Sequence, residues 1–409
     1  MNHIYLDHNS TTPTRPDVIE AMARCYAEGY ANPASQHQPG QRARRVLEDA
    51  RRRVAEILGA DLDRHKPDRL VFTSGGTEAN NLAMFGIAKS TAGNALCGVP
   101  QDSERHGGRT LQASPSEYRG RLIVSSVEHS CVLEAAEHLM EGGWRLDTLP
   151  VDCQGVVQPA ALQVLLDAGP AQLVSVMLAN HETGAIQPIE QLAGICRATG
   201  VPLHTDAVAA AGKIAINFRA LGVAALSIAA HKFQGPLGIG AIVLRHDVRL
   251  APMLFGGHQQ EGLRPGTESV ALAVGMSTAL ELWQKEQDEY CRKLTSLRQR
   301  FESGLKAGRP GVIVHSEGTA RLPHTSNTAF PGLEGQILLL ALDMAGVACS
   351  VGSACASGST ELSPTLRAMG LPNEIVASSL RFSLGATTTE AEIEEAVARI
   401  LRVCRELGG

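Results

Sequence analysis

Between Arg69 and Arg245, short apolar runs rich in β-branched residues alternate with amphipathic or Ala-rich stretches, the pattern of a mostly parallel sheet flanked by helices. The runs Leu70–Thr73, Arg121–Ser126, Leu146–Val151, Leu173–Leu178, Val201–Thr205, Ala225–Ala229 and Ile239–Leu244 predict a seven-stranded sheet. Helices are expected to start near Thr77, Ser130, Pro159 and Pro188, where Ser, Thr or Pro suits a first turn. An earlier helix, Gly40–Leu58, puts Val46, Ala50, Val54 and Ile57 on one face, with Glu48 and Asp49 four residues ahead of Arg52 and Arg53. Its arginines read as a solvated face.

Residues 90 to 120 are rich in Gly, Ser, Pro and charge with little periodicity, and read as a long surface loop or insertion without catalytic duty. After Gly256-Gly257 the pattern changes to a long helix, Val270–Lys306, followed by strands and helices in α+β order. The expected architecture is therefore α/β, with a large domain over residues 15–261. A smaller α+β domain is built from residues 1–14 and 262–409.

A length of 409 residues and an apolar fraction of 44% suit such a pair of domains. The net charge of −5, with Lys and Arg scattered, advertises neither nucleic acid nor a membrane surface as partner. No apolar run approaches the roughly 20 residues that span a bilayer, and no leader pattern opens the chain, so the expected location is the cytoplasm. Nine cysteines lie without CxxC pairs, so reduced thiols are the default. No metal site is expected, because His129 and Cys131 lack a second paired motif. Gly238-Ile239-Gly240 leads into a strand and not a helix, the wrong context for a nicotinamide fingerprint.

Four features carry chemistry when read together. Thr73-Ser74-Gly75-Gly76-Thr77-Glu78 lies between a strand and a helix, where glycines and free N–H groups accept a phosphate; alone, it is equally an ordinary capped turn. Leu203-His204-Thr205-Asp206-Ala207 sets a carboxylate at the carboxyl end of a buried strand, where open α/β sheets bind ligands; alone, Asp206 is equally a helix cap. Ala230-His231-Lys232-Phe233-Gln234-Gly235 puts Lys232 between an apolar strand and a glycine turn, and desolvation there makes a Schiff base feasible. A snorkelling lysine is the commoner case in general, and becomes the weaker reading once Asp206 and the glycine loop share its sheet edge. Fourth, Cys355 sits among small residues from Ser350 to Ser359, suggesting an exposed loop that delivers a thiol to sulfur held elsewhere. Cys349 reads as a small buried hydrophobe.

Together these residues resemble the group I cysteine desulfurases, the IscS/NifS type within the class V, fold-type I pyridoxal-phosphate enzymes. The resemblance extends to Tyr5-Leu6-Asp7-His8-Asn9-Ser10-Thr11-Thr12-Pro13, Asn32-Pro33-Ala34-Ser35-Gln36-His37, Val127-Glu128-His129, Gly256-Gly257-His258, Arg264-Pro265-Gly266-Thr267 and Arg381-Phe382-Ser383-Leu384-Gly385. Only the 90–120 segment falls outside it. The resemblance implies pyridoxal 5'-phosphate as cofactor, bonded to Lys232, with Asp206 on its ring nitrogen and His129 stacked on the ring and moving protons. Gly76, Thr77, His231 and, from the second subunit of a homodimer, Thr267 would hold the phosphate. Arg381 would bind the carboxylate of L-cysteine, with Asn180 beside cofactor and substrate. Lys232 would remove the Cα proton and Cys355 would take the sulfur as a persulfide. An iron–sulfur scaffold or a sulfur-relay protein would then accept it.

Three positions depart from that family. Where it has a cofactor-facing Asn this chain has His181; Ala209 replaces a Gln that bonds the cofactor's phenolic oxygen; Ala229 replaces a phosphate-binding Ser. Each lost hydrogen bond costs about 1 kcal/mol, or roughly 1.5 to 3 where the partner is charged. His181 is expected to donate to the phenolic oxygen in place of the missing Gln, with Asn180 or simple packing of His181 as the other options. Selenocysteine lyase, another class V enzyme, or a non-catalytic homologue that binds a sulfur scaffold are the alternative functions. Retention of Lys232, Asp206, His129, Arg381 and Cys355 weighs against the last.

Overall fold

The computed structural model describes residues 3–96, 119–352 and 362–408. Its strands, in chain order, are β1 (Ile4–Tyr5), β2 (Arg69–Thr73), β3 (Arg121–Ser125), β4 (Arg145–Leu149), β5 (Leu173–Ser175), β6 (Leu203–Asp206), β7 (Ala225–Ala229), β8 (Gly240–Leu244), β9 (Ile313–Val314), β10 (Thr325–Ala329), β11 (Val347–Ala348) and β12 (Ser379–Ser383). Seven of them form one sheet in the order β2-β8-β7-β6-β5-β3-β4. Within it β3 to β7 run parallel, and β8 is antiparallel to both of its neighbours. The sheet is covered on both faces, which is why its strands read as continuous apolar runs and not as alternation. β5 ends at Ser175, but the main chain goes on pairing: Val176 and Leu178 donate N–H to the carbonyls of His204 and Asp206. That continuation carries the following turn, Asn180–Gly184, to the carboxyl edge of the sheet.

Crossover helices Gly76–Leu96, Ser130–Glu141, Pro159–Asp167 and Ile189–Ala198 start where the caps and prolines predict. The first continues to Leu96, so the opening of the 90–120 segment is helical and not loop; residues 97–118 lie outside the described part. A three-stranded antiparallel sheet, β12-β10-β9, and the parallel pair β1-β11 enclose a separate core with the helices Gly335–Met344 and Glu390–Gly408. The 39-residue helix Val270–Gly308 serves both: Val270, Ala273, Met276 and Leu280 pack beneath the large sheet, whereas Leu294, Leu297, Phe301 and Leu305 belong to the second core. Cys349 packs against that second core, and burial pushes its thiol up. Among the described residues no helix is long and apolar enough to cross a membrane.

The early helix runs Gln38–Ile57, capped by His37, whose side chain accepts from the Gly40 N–H. Its buried line is Ala43, Leu47, Ala50 and Val54, with Val46 and Ile57 flanking it. One arginine overturns the expectation of a solvated face. Arg51 is 9% exposed, pairs with Glu268 at 2.6 Å, donates to the Leu70 carbonyl at 2.7 Å and lies over the Phe72 ring. A guanidinium has enough donors to satisfy several acceptors at once, and this makes its burial tolerable. The expected four-residue ion pairs are also replaced by three-residue ones, Glu48 with Arg51 and Asp49 with Arg52.

Candidate active site

The carboxyl ends of β5, β6 and β7 open into a cleft of about 1020 Å³, closed from the other side by β12 and the N-terminal segment. Asp206 is the last residue of β6 and is 5% exposed. Its carboxylate accepts from Asn80 Nδ2 at 2.6 Å and from the Val208 N–H at 2.8 Å. Burial raises its pKa, against the opposing pull of His129, the Val208 N–H and Asn80. A carboxylate in that position gains most from a cationic partner, because a nearby positive charge favours its ionised form.

Lys232 stands one turn beyond β7, in the short helix Ala230–Phe233, and its Nζ donates to the carbonyls of Asn9 (2.5 Å) and Ser10 (2.9 Å). Gln234 closes that turn in the left-handed region, φ 62°, and its N–H is held by Thr12 Oγ1 at 2.7 Å. The N-terminal segment is thus the wall against which the lysine is held. His231 lines the same wall, 3.2 Å from Thr11 Oγ1, and burial pushes it down to about 4.

At the opposite wall, Gly76 and Thr77 begin the helix Gly76–Leu96. A Cβ on Gly76 would come 2.8 Å from Val208, so only glycine lets the helix start this close to the segment after Asp206. Ser74 N–H is satisfied by Glu78, which also pairs with Arg264 at 2.8 Å. That ion pair ties the segment carrying Thr267 to the helix start. Thr267 itself is exposed and does not line the cleft of its own chain.

His129 caps the helix Ser130–Glu141: its Nδ1 accepts from the Cys131 N–H at 3.1 Å and lies 3.0 Å from Cys131 Sγ. An acceptor Nδ1 assigns the neutral ring's proton to Nε2. The ring meets His181 edge to face at 5.1 Å. Burial, then the charges of His129, Arg381 and Lys232, hold His181 well below the ordinary histidine range, so it is neutral.

Of Asn180 and His181, both expected at the cofactor, only His181 lines the cleft. Asn180 is 1% exposed, and its side chain is used inside its own turn: Oδ1 accepts from the N–H groups of Glu182 and Thr183, and Nδ2 donates to the Val127 carbonyl. It does not line the cleft; His181 does. Ala209 and Ala229 also line it, presenting methyl groups where a hydrogen-bonding side chain would reach a ligand.

Arg381, in β12, completes the cleft. Its guanidinium donates to Asp7 Oδ1 at 2.8 Å, Ser10 Oγ at 2.9 Å and the His181 carbonyl at 3.2 Å. Cys355 lies outside the described residues; Gly352, just before it, lines the cleft next to Arg381.

Asn80 and Glu128 are among the members that sequence reasoning passed over. Asn80 is the only polar group among Ala79, Leu82, Ala83 and Met84 on the buried side of its helix, and that isolation was a readable signal. Glu128 is 3% exposed, accepts through Oε1 from Ser125 (2.5 Å) and the Met177 N–H (2.7 Å), and burial pushes it up to about 8. Among the described residues, Glu128 Oε2, Asn80 Oδ1, His181 Nδ1 and Arg381 Nε are buried polar atoms without a hydrogen-bond partner. All four residues line this one cleft. Buried polar atoms are normally satisfied, so their convergence marks the cleft as built around a polar ligand.

A doubly wound sheet with a lysine and a buried carboxylate meeting at its carboxyl edge has the architecture of the fold-type I enzymes. Residues 4–106 and 109–396 match the family described as Aminotransferase class-V. The chain is 38% identical over 406 residues to the cysteine desulfurase IscS of Dictyoglomus turgidum, covering 99% of this chain and 95% of that protein. It is 39% identical to the IscS-like cysteine desulfurase of Mycobacterium tuberculosis, covering 96% of this chain and 94% of that one. The crystal structure of a NifS-like protein from Rickettsia africae superimposes with a TM-score of 0.83 at 29% identity, over 98% of this chain and 99% of that chain. The chain belongs to the class-V aminotransferase family and, within it, to the cysteine desulfurases.

Proposed function

We propose that this chain uses pyridoxal 5'-phosphate to convert L-cysteine to L-alanine and takes the sulfur onto Cys355 as a persulfide. The observation that carries this reading is the convergence of Lys232, Asp206, His129 and Arg381 on one cleft, among whose lining residues Asn80, Glu128, His181 and Arg381 hold buried, unpartnered polar atoms. The residues suit the cofactor: a desolvated carboxylate for a ring cation, a helix start for a phosphate, and a lysine at the sheet edge. When bound, pyridoxal phosphate supplies an electron sink for a carbanion at the substrate's Cα.

The chain's own groups do the rest. Asp206 holds the ring nitrogen's proton, and Asn80 fixes the carboxylate in place. Gly76 and Thr77 offer N–H groups to the phosphate, with His231 alongside and Thr267 from a second subunit of a homodimer. Arg381 receives the substrate carboxylate; its Asp7 and Ser10 bonds fix the guanidinium plane, and the unpartnered Nε leaves a donor to spare. Lys232, at the sheet edge, would be the base that takes the Cα proton. The Cys355 thiolate then attacks the substrate sulfur. A sulfur–sulfur bond forms, the carbon–sulfur bond breaks, and the electron pair left on carbon takes a proton, so that thiol and cysteine become persulfide and alanine with no outside oxidant. His129, with a lone pair committed to Cys131 at Nδ1 and a proton on Nε2, is the group placed to move protons at the ring face. An iron–sulfur scaffold or a sulfur-relay protein, docking near the Cys355 segment, would receive the persulfide sulfur.

His181 takes the part of the lost Gln: its buried, unpartnered Nδ1 is the donor available to the cofactor's phenolic oxygen. His181→Ala is expected to move the pH midpoint of the bound cofactor's absorbance by about one unit. An unchanged titration shows that His181 only packs beside His129. The reading as a whole is tested by incubating the protein with L-cysteine and pyridoxal phosphate and counting the alanine formed. A protein that binds the cofactor but forms none is a non-catalytic homologue.

A further inference from the structure

One buried amine has no part in the reaction above. Lys213 ends the apolar stretch Ala207–Gly212 and is 2% exposed, yet it lines the same cleft as Lys232. Its Nζ donates to the Lys232 carbonyl at 2.8 Å and to Tyr290 Oη at 3.3 Å, and lies 5.7 Å from the centre of the Tyr290 ring. No carboxylate pairs with it among the described residues.

The other titratable groups around it are His8 from the N-terminal segment, His324 ahead of β10, Tyr290 and Cys291 from the long helix, and Lys232 itself. Burial, and then the Lys213 charge, push His8 down to about 4 and hold His324 well below the ordinary histidine range, so both rings are neutral. Asp7, the acid near His8, is paired with Arg381. Burial and then Lys232 push Lys213 down to about 7. A buried ammonium with no anionic partner is costly, and a neutral side chain could hold the Lys232 carbonyl with less penalty. Two amines in one desolvated cleft titrate as a coupled pair, and such a cleft holds one ammonium more readily than two.

We propose that Lys213 is a positioning residue that balances charge against Lys232, taking up a proton when Lys232 bonds to the cofactor and giving it back when that bond opens. This rests on the reading of Lys232 as the cofactor-bonding lysine. In the bonding step the Lys232 ammonium condenses with an aldehyde: a carbon–nitrogen double bond forms, the aldehyde oxygen leaves as water, and one proton is released. Uptake at Lys213 matches that release. The two lysines together therefore carry one positive charge whether Lys232 is bonded or not.

The test is a proton count. Pyridoxal phosphate is titrated into the full-length apoprotein near pH 8 by calorimetry in two buffers of different ionisation enthalpy, for the wild type, Lys213→Met and Lys213→Gln. Both variants are expected to release more protons than the wild type, by roughly one per site, because neither methionine nor glutamine can take one up and neither adds a charge beside Lys232. Equal counts overturn the proposal. Should the Met variant fail to fold, the Gln variant decides alone, since its amide keeps a donor for the Lys232 carbonyl. A wild type that shows neither heat nor colour with pyridoxal phosphate sinks the reading of Lys232, and this proposal with it.

Discussion

Cys355→Ser is expected to lose persulfide formation and sulfide release from L-cysteine by at least about a thousandfold, the scale on which removal of a covalent nucleophile acts. A hydroxyl in that position has neither the thiolate's nucleophilicity nor its ability to form a stable bond to sulfur. Cofactor binding is expected to survive, because none of the cofactor contacts proposed here belongs to the Cys355 segment. The pair of readouts is therefore cofactor absorbance, unchanged, and sulfide release with a thiol reductant, lost. Normal release by the Ser variant would remove Cys355 from the mechanism and turn attention to other thiols of the cleft, of which Cys131 is one.

The second large effect is expected at Lys232. Lys232→Ala removes both the covalent tether and the base for the Cα proton, and turnover is expected to fall by about 10³-fold or more, the upper part of the range for a positioned base. The variant is also expected to lose borohydride trapping. Reduction of the wild type fixes the pyridoxyl group to the Lys232 peptide, whereas the variant should give up its cofactor on dialysis. Trapping that persists on another lysine, with turnover intact, would contradict the assignment. The fold itself should tolerate the change, since the short helix at 230–233 is held by main-chain bonds and by Thr12.

What the amino-acid pattern revealed about this molecule follows from where each signal is local. Most strands of the large sheet were legible because they are short runs buried on both faces; the edge strand β4 is the exception, with four of its five residues partly or fully exposed. The starts of the crossover helices were legible because prolines and small polar residues act within one turn. Lys232 and Asp206 could be placed together because both follow strands of one parallel sheet, whose carboxyl ends share an edge. By contrast, Arg51 looked solvated because its partners, Glu268, Leu70 and Gln260, are distant in sequence and no periodicity announces them. Asn180 was expected beside cofactor and substrate together with His181, and only the closed turn, with Oδ1 committed to two N–H groups, shows that the Asn180 side chain is used inside the turn. The long helix was predicted nearly to its ends, but its sharing between two cores was hidden, because an amphipathic pattern does not say which neighbour each half meets. Lys213 was overlooked although it breaks an otherwise apolar stretch, since the bond that gives it meaning is to a carbonyl nineteen residues away.

The central claim is that sulfur leaves L-cysteine in this cleft and arrives on one thiol of the same chain. The most direct measurement mixes the cofactor-loaded protein with L-cysteine in the absence of reductant, then follows alanine together with the mass of the peptide carrying Cys355. One alanine per site, with that peptide heavier by one sulfur atom, is the predicted result. Alanine without added sulfur on Cys355, or no alanine from a protein that holds its cofactor on Lys232, would contradict it.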